Sequence, residues 1–248
     1  MTATQIQLSR WSAEDFARRV ADSKPRIAVF DCDGTLWGGD SGHGFMVWSM
    51  DQGLVSRSTS DYIDTRYRAY LAGQITEAQI CGEMVQMYAG LREQELQSAA
   101  ARYVEEFVRP RIFAELASLV ESLLQSGVEL WAVSSTNKWV VNQGVGPMGI
   151  PAHRVLAAEV AVRDGIITGN LIDVPTDEAK AAALARVGLT RPDAVFGNSI
   201  HDLAMLEIAA NPFPVNPSPA LLEAATARGL GYFRPRAAEG VAATVGGE

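Results

Sequence analysis

The stretch FDCDGTLWGGD, residues 30–40, closes the apolar run IAVF and packs three aspartates, one tryptophan and three glycines into eleven positions. An apolar run of this kind, without alternation between polar and apolar positions, suits a strand buried on both faces of a parallel sheet. The texture recurs in VELWAVSS (residues 128–135) and AVFGNS (194–199), each followed by polar residues and then a helical pattern. NPFPVNPSPALLEAA (211–225) continues it, with a short strand around Phe213 to Val215 and a helix entered through Pro219. RIFAELASLVESLLQSG (111–127) and TDEAKAAALARVGL (176–189) supply crossover helices, each with a glycine suited to a helix end. The expectation is an α/β fold with a doubly wound parallel sheet, Rossmann-like in its core.

Ser12 is placed to cap a short amphipathic helix in WSAEDFARRVAD (11–22), ahead of the first buried strand. From residue 41 to 108 the texture changes: TSDYIDTRYRAYLAG, TEAQICGEMVQMYAGL and REQELQSAAARYVEEFV carry helical periods and no strand candidate. Gly73 and Gly90 punctuate this segment, and Thr76 and Arg92 stand where new helices begin. The organisation expected is a core of residues 1–40 and 109–248 with a helical cap at 41–108, hinged at Gly38 and Gly39. Later, LAAEVAVRDGIITGNLID (156–173) places Asp164-Gly165 between β-branched runs, a hairpin signal. The Gly/Ala-rich tail after Arg236 reads as loosely ordered.

With 248 residues, 48% of them hydrophobic, the chain can bury a full core. A net charge of −8 gives no general attraction to nucleic acid or to an anionic membrane surface. No apolar run approaches the roughly 18 residues that span a bilayer, and the opening residues lack a signal-peptide pattern, so a cytoplasmic protein is expected. Cys32 and Cys81, the only two cysteines, lack metal-ligand spacing and read as free thiols that pack.

In an open parallel sheet, ligands bind beyond the carboxyl ends of the strands. Four such places carry polar groups: Asp31 and Asp33; Ser134 and Ser135; Lys180, early in a helix; and Asn198 with Asp202. Together they resemble the four motifs of the haloacid dehalogenase-like superfamily, across the whole core, and the position of the helical insertion resembles its phosphoserine-phosphatase-like branch. The resemblance implies a magnesium-dependent phosphatase. Asp31 would attack phosphorus to form an aspartyl-phosphate, dividing one hydrolysis into two displacements. Asp33 would serve as general acid and then general base, its backbone carbonyl facing the metal. Gly34 would let the chain turn close to the phosphate, and Thr35 would add a contact. Ser134 and Lys180 would neutralise charge on the phosphoryl oxygens. The metal set implied is Asp31, Asp33, Asn198 and Asp202.

Asn198 departs from that pattern, since most relatives have aspartate there; a neutral amide oxygen binds magnesium with less charge attraction. His201 stands where some relatives have an asparagine near the phosphate, so a substrate contact is implied. Ser135, pointing away from Ser134, is a second substrate candidate, or a cap for the following helix. Asp40 occupies the place of a glutamate that reaches a substrate amine; the alternative is the N-cap of the first inserted helix. Trp37, His43, Phe45 and Trp48 either offer a cation a ring face or form core beneath the cap. Arg57, Arg66 and Arg68 either meet a substrate carboxylate or lie on a solvated helix face.

The expected reaction is hydrolysis of a small phosphomonoester, with phosphoserine, phosphoethanolamine and phosphocholine as amine-bearing examples. A phosphotransferase or mutase would use the same motifs, and a catalytically weakened phosphate-binding protein is a further alternative. A dehalogenase is disfavoured by Asp33, which that chemistry does not need. Oligomeric state is not legible.

Overall fold

The computed structural model describes residues 9–239. In chain order they form β1 (Arg10–Trp11), α1 (Ala13–Asp22), β2 (Ile27–Phe30), α2 (Ser41–Asp51), α3 (Arg57–Leu71), α4 (Glu77–Gln86), α5 (Glu93–Tyr103), α6 (Ala114–Gln125) and β3 (Glu129–Asn137). There follow α7 (Lys138–Val145), β4 (Val155–Arg163), β5 (Ile166–Asp173), α8 (Glu178–Arg186), β6 (Ala194–Gly197), α9 (Leu203–Glu207), β7 (Asn211–Pro214), α10 (Pro219–Ala227) and β8 (Tyr232–Phe233).

Six strands make the main sheet in the order β5-β4-β3-β2-β6-β7, parallel throughout except for the β4–β5 hairpin. This is the α/β doubly wound arrangement expected from the apolar runs. β2 alternates its side chains between the two faces. Ala28 and Phe30 join the apolar cluster that holds Phe16 of α1, Leu116 of α6 and Val140 of α7. Val29 joins Val133 and Val195 against Leu184, Met205 and Leu221 from the helices of the other face. Phe30 stacks on Phe196 with centroids 4.3 Å apart, and Phe196 on Phe213 at 5.1 Å. A strand covered on both sides has no polar position to spare, which is why its sequence is unbroken apolar. The two prolines of β7 are tolerated because it is the outermost strand of this sheet.

From β2 the chain passes to β3 on one side, while β6, much later in sequence, lies on the other. The order reverses at β2, so the crevice at its carboxyl end is the place where such sheets bind ligands.

Ser12 caps α1 through the Asp15 N–H, and Pro219 stands in the first turn of α10, both as expected. Asp164 and Gly165 both take positive φ, the geometry of a tight two-residue hairpin turn. Residues 41–103 are helical and contain no strand. They pack in two ways: Leu96, Ala99, Ala100 and Tyr103 of α5 merge with the cluster of the sheet, whereas Met46, Ile63 and Ile80 form a small cluster of their own. The segment leaves and rejoins the sheet side by side, with Gly38 N–H donating to Arg111 O (3.0 Å) and Phe113 N–H to Leu36 O (3.0 Å). Its loop before α5 also pairs with the hairpin, Gly90 N–H to Ile167 O at 2.8 Å and Glu93 N–H to Gly165 O at 2.9 Å.

Three expectations need correction. β1, ahead of the first helix, pairs in parallel with β8 beyond α10, and neither strand was expected, because two residues carry no period. β3 runs to Asn137, so Asn137 rather than Ser135 caps α7, accepting from Val140 N–H at 3.0 Å. Part of the stretch after Arg236 is ordered: Arg236–Ala238 form a helical turn whose Arg236 N–H donates to Glu115. Residues 240–248 of the proposed loose tail lie outside the described residues. Cys32 and Cys81 are free thiols, as expected.

Candidate active site

The carboxyl end of β2 delivers Asp31, almost fully buried, with its N–H fixed to Phe196 O at 2.9 Å. One carboxylate oxygen accepts from Lys180 Nζ at 2.8 Å and the other from Thr35 Oγ1 at 2.9 Å. Lys180, from the first turn of α8, also donates to Asp202 Oδ1. The second Asp202 oxygen accepts the backbone N–H groups of Asn198 (2.8 Å) and Ser199 (2.9 Å). Lys180 is 2% exposed and Asp202 is wholly buried, so Lys180 is not the solvated helix lysine its sequence context would suggest. Burial alone would discharge the ammonium, but Asp202 and Asp31 hold its pKa well above the ordinary value. The Asp31 carboxyl is pushed up, first by burial and then by the charge of Asp202, against the pull of Lys180. Two carboxylates thus share one ammonium in a dry site, leaving unbalanced negative charge that a cation would relieve.

Asp33, two residues on, is held differently. Its Oδ1 accepts the Trp37 indole N–H (2.6 Å) and the Ser41 backbone N–H (2.8 Å), and its Oδ2 accepts Thr136 Oγ1 (2.7 Å). Ser41 begins α2, so this carboxylate is fastened to the first residue of the helical segment. Gly34 takes φ +77, and a Cβ there would meet the Asn198 side chain at 2.0 Å. Only glycine allows this approach of the two loops. Ser134, 2% exposed, lies on β3 two residues beyond the Phe30↔Ala132 pair, and its Oγ accepts Thr136 N–H at 3.2 Å.

Asp31, Asp33, Thr35, Ser134, Lys180, Asn198 and Asp202 therefore converge on the tips of neighbouring strands. Ser135 and His201 turn elsewhere: Ser135 Oγ donates to Glu77 Oε1 (3.2 Å), and His201 meets Glu77 through Nε2 (2.6 Å) and Asp177 through Nδ1 (2.7 Å). With both ring nitrogens taken by carboxylates, His201 has none left for a phosphate in this arrangement. Although burial works against the charged ring, Glu77 and Asp177 lift its pKa to about 9.

Asp40 caps α2, accepting from His43 N–H at 2.8 Å, so the capping alternative is realised. The residue is exposed, although neighbouring protein still crowds its carboxyl. That crowding, with the charges of Asp33 and Glu77 nearby, pushes its carboxyl up to about 7. No cationic side chain pairs with Asp40 among the described residues. Of the aromatic candidates, Trp37 and Phe45 are fully buried and belong to the core, while His43 stacks on Tyr67 with centroids 4.1 Å apart. Trp48 takes Arg102 over its ring. Arg66 is spent on a two-pronged pair with Glu83, Arg68 pairs with Asp64, and Arg57 is exposed. Sequence reading missed Thr136, Glu77 and Asp177. Their positions carry no local motif, and only the meeting of distant elements reveals them.

Among the described residues no three His, Cys, Asp or Glu side chains form a metal cage. A magnesium ion does not need one, since it keeps several waters and shares substrate phosphate oxygens. The Asp31 carboxylate, the Asn198 amide oxygen and the Asp33 carbonyl are hard oxygen donors of the right kind, and the excess negative charge around Lys180 favours a cation. The residues fit magnesium. A groove of about 620 Å³ between α1 and α6 includes none of these residues.

The haloacid dehalogenase-like hydrolase family model matches residues 28–207, and the chain belongs to that family. A histidinol-phosphatase of Neisseria meningitidis is 26% identical over 214 residues, 82% of this chain and 96% of the relative. A Bordetella pertussis protein of unknown function superposes with a TM-score of 0.73 at 26% identity, covering 84% of this chain and 98% of its own. A phosphoserine phosphatase solved as a phospho-aspartyl intermediate analogue shares the fold, with a TM-score of 0.57 at 16% identity over 85% of this chain and 93% of its own. The family match makes this chain a haloacid dehalogenase-like hydrolase, and its fold is one it shares with phosphoserine phosphatase.

Proposed function

We propose that this hydrolase is a phosphatase that cleaves a small, amine-bearing phosphomonoester through an aspartyl-phosphate on Asp31, with magnesium as cofactor and residues 41–108 acting as a cap. The observation that carries the reading is the buried Asp31–Lys180–Asp202 chain at the sheet's reversal point. An ammonium held between the attacking carboxylate and a second acid keeps the nucleophile oriented and places positive charge where phosphoryl oxygens gather.

In the first step an Asp31 oxygen bonds to phosphorus as the bond to the leaving oxygen breaks, and Asp33 gives its proton to that oxygen. In the second step Asp33 takes a proton from water, the water oxygen bonds to phosphorus, and the Asp31 carboxylate is released with inorganic phosphate. Ser134 and Lys180 receive the phosphoryl oxygens, with Thr35 steadying Asp31. Asp31, Asn198 and the Asp33 carbonyl would hold the magnesium ion, which supplies charge neutralisation on the phosphoryl group. Asp202, which the family resemblance also implies as a metal ligand, fixes Lys180 and the Asn198 loop through its two oxygens. A cap over the strand tips excludes bulk water while the aspartyl-phosphate forms.

Asp40 supports the amine-bearing substrate, because it is an acid without a cationic partner among the described residues and lies near enough to Asp33 to feel its charge. Phosphoserine, phosphoethanolamine and phosphocholine are of this chemistry, and the name of the Neisseria relative adds histidinol phosphate. The test is hydrolysis of a panel of phosphorylated metabolites with and without magnesium. Turnover that favours amine-bearing esters and requires magnesium is expected; equal turnover of neutral and amine-bearing esters would overturn the substrate reading.

A further inference from the structure

Glu77 opens α4, immediately after the capping Thr76, and yet its side chain is only 13% exposed. A glutamate in the first turn of an exposed helix ordinarily faces water and serves the helix dipole. Here it leaves its own helix. One oxygen accepts from Ser135 of β3 and the other meets His201, which turns its second nitrogen to Asp177. Asp177 precedes α8, the helix that carries Lys180, and holds φ +50, a left-handed conformation that costs a non-glycine residue energy. His201 itself lies in the loop between Asn198 and Asp202. One cap side chain therefore touches two separate core elements and reaches a third through His201. Among the described residues, Glu77–His201 is the one ion pair that joins residues 41–103 to the core.

We propose that Glu77 is a positioning residue: through the Glu77–His201–Asp177 chain it latches the cap onto the core and sets the register of the Asn198–Asp202 loop and of the lysine helix beneath it. The arrangement explains why a strained backbone persists at Asp177, since its carboxylate is aimed at His201. The polar tie adds to apolar packing on this side, where Phe45 of α2 and Val85 of α4 join the cluster of the sheet and Met46, Ile63 and Ile80 form a cluster of their own. The role rests on the proposed phosphatase reading for its effect on turnover, but the latch itself is a statement about cap and core.

The test uses the full chain as wild type, Glu77→Ala, His201→Ala and the double variant, with amide hydrogen exchange as the first readout. The single variants should each speed exchange in α4 and in residues 198–202 by about tenfold, with core strands β2 and β3 unchanged, and the double variant should be no faster than either single. Exchange in α4 that matches wild type in Glu77→Ala, or single effects that simply add, overturns the latch. The second readout is p-nitrophenyl phosphate hydrolysis with magnesium: Glu77→Ala should lower kcat about tenfold with a smaller change in KM, and Glu77→Asp should recover part of it. A KM effect alone would make Glu77 a substrate ligand and overturn the positioning role. If wild type lacks phosphatase activity, the function has failed, and the exchange comparison still decides the latch.

Discussion

Asp31 and Asp40 stand nine residues apart in one stretch, both with carboxyls raised by protein crowding, yet the molecule treats them in opposite ways. Asp31 hangs from a central strand whose backbone is fixed on both sides, and it has an ammonium at 2.8 Å and a hydroxyl at 2.9 Å. Asp40 hangs from the first turn of a helix beyond two glycines, holds one backbone N–H, and keeps part of its surface in water. The difference teaches a division of labour: the sheet supplies rigid, pre-paired chemistry, and the helices supply an unpaired acid whose partner must come from outside.

The comparison breaks most visibly at its rigid end. Asp31→Asn should lower turnover of p-nitrophenyl phosphate by about three orders of magnitude or more while the circular dichroism spectrum is retained, since the amide neither attacks phosphorus nor pairs with Lys180. Packing should divide along the same line. Phe196→Ala, which removes the ring stacked between Phe30 and Phe213, should cost about 3–5 kcal/mol in urea denaturation. Ile63→Ala, in the small cluster of the helical segment, should cost about 2 kcal/mol, near the lower limit for such truncations.

Smaller effects sharpen the acid at the start of the helical segment. Asp40→Asn should raise KM for an amine-bearing ester about tenfold and leave p-nitrophenyl phosphate nearly unaffected, because removal of one charge-assisted contact costs on the order of 1.5 kcal/mol. The pH dependence follows from the raised carboxyl, near 7. Below that pH Asp40 is neutral and attracts a cation weakly, so KM for the amine-bearing ester should fall as pH rises through about 7, and Asp40→Asn should flatten that trend. The same shift makes the folded chain bind more protons than the unfolded one between the ordinary carboxylate value and 7, so this group's contribution to stability declines as pH rises across that window.

Legibility in the sequence follows the same division. The buried strands were readable because burial on both faces forces unbroken apolar runs, and the hairpin because positive φ at Asp164 and Gly165 needs those residue types. The meeting of Asp31, Lys180 and Asp202 was readable from their order, since Asp31 and Asp202 come after apolar runs and Lys180 lies early in the helix after the hairpin. Glu77 and Thr136 were not, since a glutamate opening a helix and a threonine ending a strand look ordinary until the chain brings them to His201 and Asp33. His201 was read toward the phosphate for the same reason: its carboxylate partners lie far away in sequence.

The central claim is that Asp31 carries the phosphoryl group. Acid-quenching the enzyme during turnover of a phosphomonoester with magnesium, reducing with borohydride and mapping peptides by mass spectrometry reads it directly. The account predicts conversion of Asp31 alone to homoserine, dependent on substrate. Substrate-dependent labelling at any other residue, or steady turnover with Asp31 unmodified, would contradict it.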